Sequence, residues 1–558
     1  MSGITEVNPL KPHYLCTNPD CCYSDFSLSK DILSGFDLED KPCPKCGSIM
    51  KGNGHNIPFE TFLGFKGDKV PDIDLNFSGE YQPRAHEFTR TLLGEKNVFR
   101  AGTISTVQEK TAIGYTRKFF EDNGRINSVR QAEIKRIAKG CEGVKRTTGQ
   151  HAGGIIVIPD YMDVYDVTPL QFPADDPDKS WMTSHFDFHA IHDEILKLDI
   201  LGHVDPTAIR MLQDLTGIDP KTIPFNDAKV LSLFSSPNVL STKDHSVDAN
   251  IVLNPTGTAG IPEFGTDFTK KMVDEAHPGK FSELAQISGL SHGTDVLTGN
   301  AQELIKSGIC DISTVIGCRD DIMAYLMKMD VEPSAAFKIM ESVRKGKGLT
   351  DDMKATMKAH NVPDWYMDSC LKIKYMFPKA HAAAYVMMAL RIAWFKVYYP
   401  LEYYATFFST RCDAFDIHTL LGGYETIRDK ILEIRDKKSK HDPSLKKKDE
   451  DLIDLFDVAL EMTARGFTFS NISMEKSHSK NFTVDHETNS LIPPFICIDG
   501  LGESVGDSIM EARKNGPFLS KEEILKRTQL SQTCFNILDA LGVFKGLNEE
   551  NQLQFDLF

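Results

Sequence analysis

The stretch Val70-Pro71-Asp72-Ile73-Asp74-Leu75-Asn76-Phe77-Ser78-Gly79 places two carboxylates one residue apart within an apolar run. Side chains alternate between the two faces of a β-strand, so Asp72 and Asp74 are expected to share one face. Two like charges this close repel each other unless a cation lies between them. Mg²⁺ takes oxygen ligands and leaves positions open for substrate phosphates, so the pattern favours metal-assisted phosphoryl transfer. A strand-end turn rich in Asp and Asn is the alternative interpretation.

A second apolar stretch, Leu196-Lys197-Leu198-Asp199-Ile200-Leu201-Gly202, carries one acid. A carboxylate among Leu and Ile is costly to bury without a partner. We therefore expect Asp199 to meet Asp72 and Asp74 across a sheet and to complete a three-carboxylate metal site. The alternative is an edge-strand Asp in a salt bridge with Lys197.

The chain has 12 cysteines, and five of them lie within the first 46 residues. Clustered cysteines in a reducing compartment indicate metal ligands rather than disulfides. Cys16, Cys21, Cys43 and Cys46 have the spacing of a four-cysteine zinc ribbon, which predicts one structural Zn²⁺. Cys22 could replace Cys21, and the spacing alone leaves that choice open.

Length and composition predict a multidomain globular protein. The chain has 558 residues, 41% of them hydrophobic and 25% charged, and it shows neither a membrane span nor a signal peptide. We therefore expect a cytoplasmic protein without a membrane partner. The net charge of −16 argues mildly against nucleic acid, but residues 117–146 and 338–396 are basic islands. Solvated helix faces are the alternative interpretation of these islands.

The spacing of apolar residues predicts helices at 83–95, 103–122, 128–140 and 203–217, and mainly helical structure from 263 to 410. Lys145–Gly154 combines cations, hydroxyls and glycines in a predicted phosphate-binding turn before the strand 155–158. A plain helix–turn–strand connection is the alternative. Residues 234–262 suggest a long loop, residues 288–295 a shorter one, and residues 435–451 a charged linker.

Two features near the carboxyl end point to DNA and to a partner protein. Gly500-Leu501-Gly502 precedes a helix, and such a hairpin exposes backbone N–H groups to a DNA phosphate. The last residues, Gln554-Phe555-Asp556-Leu557-Phe558, keep several large apolar groups in a tail, which favours a partner pocket.

These motifs together resemble one family, and the resemblance covers nearly the whole chain. It is similar to the polymerase half of PolC-type DNA polymerase III alpha subunits, the replicative polymerases of Gram-positive-type bacteria. The motifs that carry the resemblance, in order, are Pro71–Phe77, Gly149–Gly154, Leu196–Gly202, Gly289–Asp295 and Met376–His381.

The resemblance implies a role for individual residues. Asp72, Asp74 and Asp199 would be the catalytic carboxylates that bind two Mg²⁺. The substrate-binding residues would be His292, Arg319, Lys372, Lys379, His381 and Tyr385. The DNA-binding residues would be Lys145, Arg146, Gln150, His151, Lys345, Lys347, Gly500 and Gly502. A sliding clamp would bind Gln554, Phe555, Asp556, Leu557 and Phe558, and other replisome subunits are further expected partners.

The resemblance also implies a multidomain α+β architecture. A DNA polymerase beta-like nucleotidyltransferase palm with a zinc ribbon would precede mainly helical thumb and fingers and a tandem helix-hairpin-helix domain. The expected ranges are 1–60 for the zinc-binding start of the palm, 61–220 for the palm with a thumb inserted at about 83–145, 221–430 for the fingers, 431–490 for a linker and the start of the duplex-binding region, 491–547 for the helix-hairpin-helix domain and 548–558 for the clamp-binding tail.

Three departures from the family pattern are visible. The upstream oligonucleotide-binding, PHP and exonuclease domains have no counterpart here, as expected of a trimmed chain or a split-gene product. Four residues separate the first cysteine pair where the family pattern has two. The loop around 236–255 is longer than usual.

The expected function is addition of dNTPs to a primer 3′ end on a DNA template by a two-metal mechanism. The alternative is a non-catalytic DNA- and clamp-binding fragment of a split polymerase. A zinc hydrolase is excluded because four cysteines leave no open metal position.

Overall fold

The computed structural model describes residues 5–29, 31–67, 73–172, 181–191, 195–241 and 255–550. Two compact units emerge from the contacts, residues 1–61 with 208–558, and residues 62–207. Asp72, part of the predicted 234–262 loop and residues 551–558 of the predicted clamp-binding tail lie outside the described residues. None of the described helices is both long and apolar enough to span a membrane.

The amino-terminal lobe is a small four-stranded sheet in the order β2-β1-β4-β3. Its strands are β1 (His13–Cys16), β2 (Ser24–Asp25), β3 (Lys41–Pro42) and β4 (Ile49–Asn53). The Phe36 ring packs against Phe225 and Phe281, with centroids 4.7 and 5.0 Å apart. Residues 1–60, which we assigned to the start of the palm, are thus grouped by contacts with residues 208–558.

The unit of residues 62–207 is built on a six-stranded sheet in the order β5-β10-β7-β6-β9-β8. Strand β10 is parallel to β5 and antiparallel to β7. The bounds are β5 (Ile73–Ser78), β6 (Val98–Thr106), β7 (Lys145–Val157), β8 (Leu170–Gln171), β9 (Thr183–Asp187) and β10 (Leu196–His203). The helices in this unit are Gln82–Leu93, Glu109–Asp122 and Gln131–Cys141.

Two predictions for this unit are wrong. The helix expected from 103 begins at Glu109, because the Thr- and Ile-containing segment before it extends β6. The phosphate-binding turn expected at Lys145–Gly154 is part of the 13-residue strand β7. Its register with β6 pairs Gly149 with Thr103 and Thr147 with Ser105. Pairing with β6 therefore overrides the turn tendency of the glycines.

Residues 208–558 are mainly helical. The helix Val204–Thr216 begins before this range and continues into it. The other α-helices are Ala228–Ser232, Asp267–Ala276, Phe281–His292, Gln302–Lys306, Arg319–Lys328, Pro333–Arg344, Asp351–Ala359, Asp364–Lys372, Lys379–Tyr398, Pro400–Thr410, Ile417–Leu421, Gly423–Ser439, Lys447–Asp451, Ile453–Ala464, Glu503–Lys514, Lys521–Arg527 and Gln532–Ala540. A small sheet contains β11 (Thr468–Phe469), β12 (Thr483–Asp485) and β13 (Ser490–Ile492), in the order β11-β13-β12. The helix Lys379–Tyr398 is largely buried within this unit.

Two loop predictions in this unit also require correction. Residues 288–292 continue the helix Phe281–His292, because Gly289 lets it approach Cys318 too closely for any larger side chain. Much of the predicted linker 435–451 is helical, with one helix ending at Ser439 and another spanning Lys447–Asp451. Buried Ile427, Ile431 and Ile434 recur at helical spacing and explain the first of these helices.

Candidate active site

Two of the predicted catalytic acids are neighbours in the sheet of residues 62–207. Asp199 on β10 pairs in register with Asp74 on the parallel strand β5. Residues directly across adjacent strands project from the same face, so the register places both carboxylates on one side of the sheet. Asp72, the third predicted acid, lies outside the described residues.

The two oxygens of Asp199 have different surroundings. Oδ2 lies 2.9 Å from Nζ of Lys197, two residues earlier on the same face of β10. Oδ1 is buried and has no hydrogen-bond partner in the described part of the chain. A buried acceptor without a partner, on the same face as a second acid, suits a hard cation with oxygen ligands. The residues present therefore fit Mg²⁺. The salt bridge between Lys197 and Asp199, which we gave as the alternative to metal binding, uses Oδ2 and is compatible with a metal at Oδ1.

His151, one of the residues that we predicted to bind DNA, lies beside Asp199. Its Nδ1 accepts the backbone N–H of Gly154 at 2.7 Å and lies 3.6 Å from Asp199 Oδ1. Because Nδ1 accepts this hydrogen bond, it has no proton to donate to Asp199.

The other predicted DNA contacts on β7 are spread along the strand. Lys145 and Arg146 are exposed, and the Arg146 guanidinium lies 5.9 Å from the Tyr115 ring centroid. Gln150 instead donates to Thr183 Oγ1 at 2.6 Å, which engages its amide within the sheet. The exposed cations can reach a phosphate, whereas Gln150 already has a partner.

The four predicted zinc ligands converge in the amino-terminal lobe. The Sγ atoms of Cys16, Cys21, Cys43 and Cys46 all lie within 4.8 Å of one another. Cys22 is exposed and its thiol donates to the Pro19 carbonyl, so the choice left open by the spacing falls on Cys21. Four thiolates at this spacing suit a tetrahedral Zn²⁺.

Two of these thiols have opposite tendencies to ionise. Burial raises the pKa of Cys16 to about 12. Hydrogen bonds from Ser48 lower the pKa of Cys46 to about 6. Cys46 is therefore the readier of the two to offer a thiolate, and ligation by Zn²⁺ would displace the proton from Cys16.

In the helical unit, four predicted or neighbouring aromatic side chains form a continuous stack. The His292 ring stacks on Phe377 at 4.6 Å, Phe377 meets His381 edge-on at 4.5 Å, and His381 stacks on Tyr385 at 4.1 Å. The stack begins at exposed His292 and ends at buried Tyr385. Tyr385, which we predicted to bind substrate, is buried and stacks on His381 at the inner end of this row.

The predicted phosphate-binding cations Arg319 and Lys379 lie in a buried charge cluster. Lys379 Nζ is 3.2 Å from Asp321 Oδ1, and the Lys379 backbone N–H donates to Asp320 Oδ2 at 2.7 Å. Arg319 Nε is 4.0 Å from Asp320 Oδ2, and no hydrogen bond reaches this buried atom in the described part of the chain. Two cations and two anions balance here.

The remaining predicted cations are more exposed. Lys372 Nζ donates to the Gly299 carbonyl at 2.8 Å and keeps half of its side chain exposed. Lys345 pairs with Glu341 at 3.1 Å, and Lys347 is exposed in the same turn. Gly346 in that turn has φ of +67°, which a residue with a side chain adopts only at a cost.

Both predicted hairpin glycines are exposed. Gly500 has φ of +84°, and Gly502 immediately precedes the helix Glu503–Lys514. The first backbone N–H groups of a helix have no partner within it. This arrangement is able to bind a phosphate without reading sequence.

Sequence reasoning missed three acids of the helical unit. Asp320 and Asp321 engage Lys379 as described above, and their position beside Arg319 was the available indication. Glu263 forms a hydrogen bond with His292, with its Oε2 2.7 Å from Nε2 of the ring. Glu263 also has φ of +67°, unusual for a residue with a side chain. Nothing in the sequence indicates that Glu263 and His292 are close.

Three family models match the chain. Residues 1–130 and 114–202 match the bacterial DNA polymerase III alpha NTPase domain, residues 205–361 match the bacterial DNA polymerase III alpha subunit finger domain, and residues 466–553 match the helix-hairpin-helix motif.

Two curated relatives carry the name DNA polymerase III PolC-type, from Staphylococcus haemolyticus strain JCSC1435 and Staphylococcus aureus strain MRSA252. Each is 59% identical to the chain over all 558 residues, and the chain spans 38% of the length of each relative. The resemblance drawn from the motifs is confirmed by these matches.

Proposed function

We propose that the chain is a DNA-directed DNA polymerase, because it is 59% identical over all of its 558 residues to relatives named DNA polymerase III PolC-type. It would add dNTPs to the 3′ end of a primer paired with a DNA template. The observation that carries the proposal is the in-register pair of Asp74 and Asp199, with one buried oxygen of Asp199 unpartnered in the described chain.

Asp72, Asp74 and Asp199 would hold two Mg²⁺ ions in this proposal. When bound, Mg²⁺ lowers the pKa of the primer 3′-hydroxyl and neutralises charge on the phosphates. The chain would contribute a rigid sheet that fixes the carboxylates before substrate arrives. Base pairing with the template, rather than side chains, would choose the nucleotide.

The triphosphate would bind the cations and aromatic stack of the helical unit. The buried Arg319 Nε lacks a hydrogen bond in the described chain, and a phosphate oxygen would supply one. The Lys379 ammonium would exchange Asp321 for phosphate, since both are oxygen anions. Lys372 and His292 are exposed enough for direct contact, and His381 and Tyr385 would support the stack.

The finer architecture forms part of the same proposal. The sheet of residues 62–207 would be a polymerase beta-like palm with the inserted thumb, and the helices after it would be the fingers. Primer–template DNA would contact Lys145, Arg146, Lys345, Lys347 and the Gly500–Gly502 hairpin. The four cysteines would hold one structural Zn²⁺, and the tail 554–558 would bind a sliding clamp.

Primer extension tests the proposal directly. The purified chain should elongate a labelled primer on a DNA template with Mg²⁺ and dNTPs, and Asp72→Ala, Asp74→Ala and Asp199→Ala should each abolish elongation. Each variant should keep the wild-type thermal transition and primer–template affinity, because the acids bind metal rather than the duplex.

Asp122→Asn, an exposed acid at the end of a helix, serves as a matched control that should retain activity. Loss of elongation in Asp122→Asn, or its persistence in any of the three Ala variants, would contradict the assignment. DNA binding without any elongation by wild type would instead favour a non-catalytic fragment.

A further inference from the structure

Lys197 touches the candidate catalytic acid without being one of the three carboxylates. Its Nζ lies 2.9 Å from Asp199 Oδ2 and 4.8 Å from the centroid of the Phe188 ring. Only 17% of the Lys197 side chain is exposed. The ammonium is therefore held between an anion and a ring face, and little of it is available to water.

Gly154 makes this placement feasible. It lies opposite Asp199 in the register of β7 and β10. A Cβ at residue 154 would lie 2.8 Å from His151 Nδ1 and 3.0 Å from Lys197 Cε. Any residue other than glycine would push aside both side chains that approach the carboxylate.

His151 lies beside the other oxygen of Asp199. Because the single lone pair of Nδ1 accepts the Gly154 N–H, this nitrogen has no proton to donate to Asp199 Oδ1, which lies 3.6 Å away. The described chain therefore supplies no hydrogen bond to Oδ1. Lys197 thus satisfies Oδ2, while Oδ1 has no hydrogen-bond partner in the described part of the chain.

We infer that Lys197 is a positioning residue, which binds Oδ2 of Asp199 so that this carboxylate offers Oδ1 alone to a divalent cation. The inference rests on the proposed function for its kinetic consequence, but the carboxylate geometry can be measured separately. Partners that orient a ligand in this way commonly affect activity about 10- to 100-fold when they are removed.

The variant Lys197→Met keeps the length of the stem and removes the charge. Two opposing effects follow. The acids become more negative as a group, which favours metal binding, while Asp199 becomes free to turn or to bind through both oxygens. We therefore expect kcat to fall about 10- to 100-fold, with a metal affinity no weaker than that of wild type. Lys197→Arg, which can still donate to Oδ2, should restore part of kcat.

Three readouts are needed. Primer extension across a Mg²⁺ series gives kcat and the half-saturating Mg²⁺ concentration. Mn²⁺ titration followed by electron paramagnetic resonance gives the affinity, with Asp199→Ala as background. The Mg²⁺-induced infrared difference spectrum, with Asp199→Ala subtracted, separates one-oxygen from two-oxygen ligation, because one-oxygen ligation splits the two carboxylate stretches more widely. Lys197→Met should narrow that splitting.

Gly154→Ala should push the Lys197 side chain away from Asp199 without removing its charge. It should therefore reproduce the loss of kcat and the narrower splitting of the carboxylate stretches. Its matched control is Gly114→Ala, where a Cβ meets nothing within 4 Å. Lys96→Met, at an exposed lysine after the helix Gln82–Leu93, controls for loss of one positive charge. Thermal unfolding identifies any variant that fails to fold.

Wild-type splitting in both Lys197→Met and Gly154→Ala would overturn the inference, whether or not kcat falls. A fall in kcat with unchanged splitting would assign Lys197 to the substrate rather than to Asp199. If the wild-type chain does not extend a primer, the proposed function fails, while the infrared comparison still decides the role of Lys197.

Discussion

Lys396 and Glu461 form a buried ion pair in the helical unit, with Nζ 2.7 Å from Oε1 and the Lys396 side chain fully buried. The ammonium also donates to the Gly257 and Ala259 carbonyls at 2.8 and 2.6 Å. Tyr404 donates its hydroxyl to the same Glu461 oxygen at 2.7 Å. One lysine thereby joins two helices and the segment that follows the undescribed residues 242–254.

We predict that Lys396→Met destabilises the helical unit by about 3–5 kcal/mol, because the Glu461 carboxylate is left buried without its cation. The double variant Lys396→Met/Glu461→Gln should recover much of that loss, since it removes the unpaired charge and keeps an acceptor for Tyr404. Urea unfolding followed by tryptophan fluorescence measures both changes, with Trp365 and Trp394 in this unit. Equal free energies of unfolding for Lys396→Met and for the double variant would contradict a stabilising ion pair between Lys396 and Glu461.

The same pair predicts a pH dependence. Burial lowers the pKa of Lys396 from its usual value near 10.5 to about 8. Between these values the unfolded chain binds more protons than the folded chain, so this group's contribution to the unfolding free energy rises with pH. The stability difference between wild type and Lys396→Met should therefore widen from pH 8 to pH 10. A constant or shrinking difference would show that the lysine keeps its proton when folded.

The cysteine cluster predicts one zinc per chain. Cys43→Ser should lose the metal and lower the thermal stability of the helical unit, because the amino-terminal lobe packs onto it through Phe36. Cys22→Ser is the matched control and should keep one zinc, since that thiol lies outside the cluster. Elemental analysis of gently purified protein measures the zinc content per chain. Wild-type protein without zinc would refute the site.

The contact between Glu263 and His292 predicts a nucleotide-binding effect. Glu263→Ala should raise KM for dNTPs about 3- to 10-fold with a smaller change in kcat, because one hydrogen bond that holds the His292 ring is lost. Glu263→Gln should restore part of the affinity. Steady-state nucleotide incorporation measures KM and kcat separately. The control variant Glu275→Ala, at a partly exposed acid of a neighbouring helix, should behave as wild type. Unchanged KM in Glu263→Ala would remove His292 from the nucleotide site.

The tail 554–558 lies outside the described residues, so its prediction depends on the sequence. Gln554, Leu557 and Phe558 have the pattern of an extended peptide that inserts two apolar groups into a pocket and bonds at its rim. Burying Leu and Phe contributes roughly 1.5–3 kcal/mol each, which after ordering costs supports a dissociation constant on the order of micromolar.

Deletion of residues 554–558 should leave distributive synthesis unchanged and remove stimulation by the cognate sliding clamp. The contact becomes intramolecular once both partners are held on one DNA, so a weak affinity suffices. Replacing Asn551 by Ala, just outside the pentapeptide, should preserve stimulation. Equal stimulation of the full-length and truncated chains on long templates would refute the assignment.

The sequence was informative where chemistry and local pattern coincide. Asp199 and Lys197 share a strand face by simple alternation, and the cysteine spacing identified the four Sγ atoms that converge. The register of Asp199 with Asp74 could only be expected in outline, because it joins residues 125 positions apart. The Lys145–Gly154 strand was missed because pairing with β6 decides its conformation. Continuation of the helix to His292 likewise depends on packing against Cys318.

The position of β10 between β5 and β7 has a consequence for how the chain acquires its structure during synthesis. Strand β5 is at the edge of the described sheet and bonds there only to β10, which is made more than a hundred residues later. Closing so long a loop costs conformational entropy before the β5–β10 contacts can stabilise the chain. This pairing is therefore expected among the slow, late steps of folding. On a ribosome, Asp74 of β5 would emerge well before its partner strand. The nascent chain would therefore carry Asp74 and Asp199 apart, and would bring them together only as the last strand of the sheet is inserted.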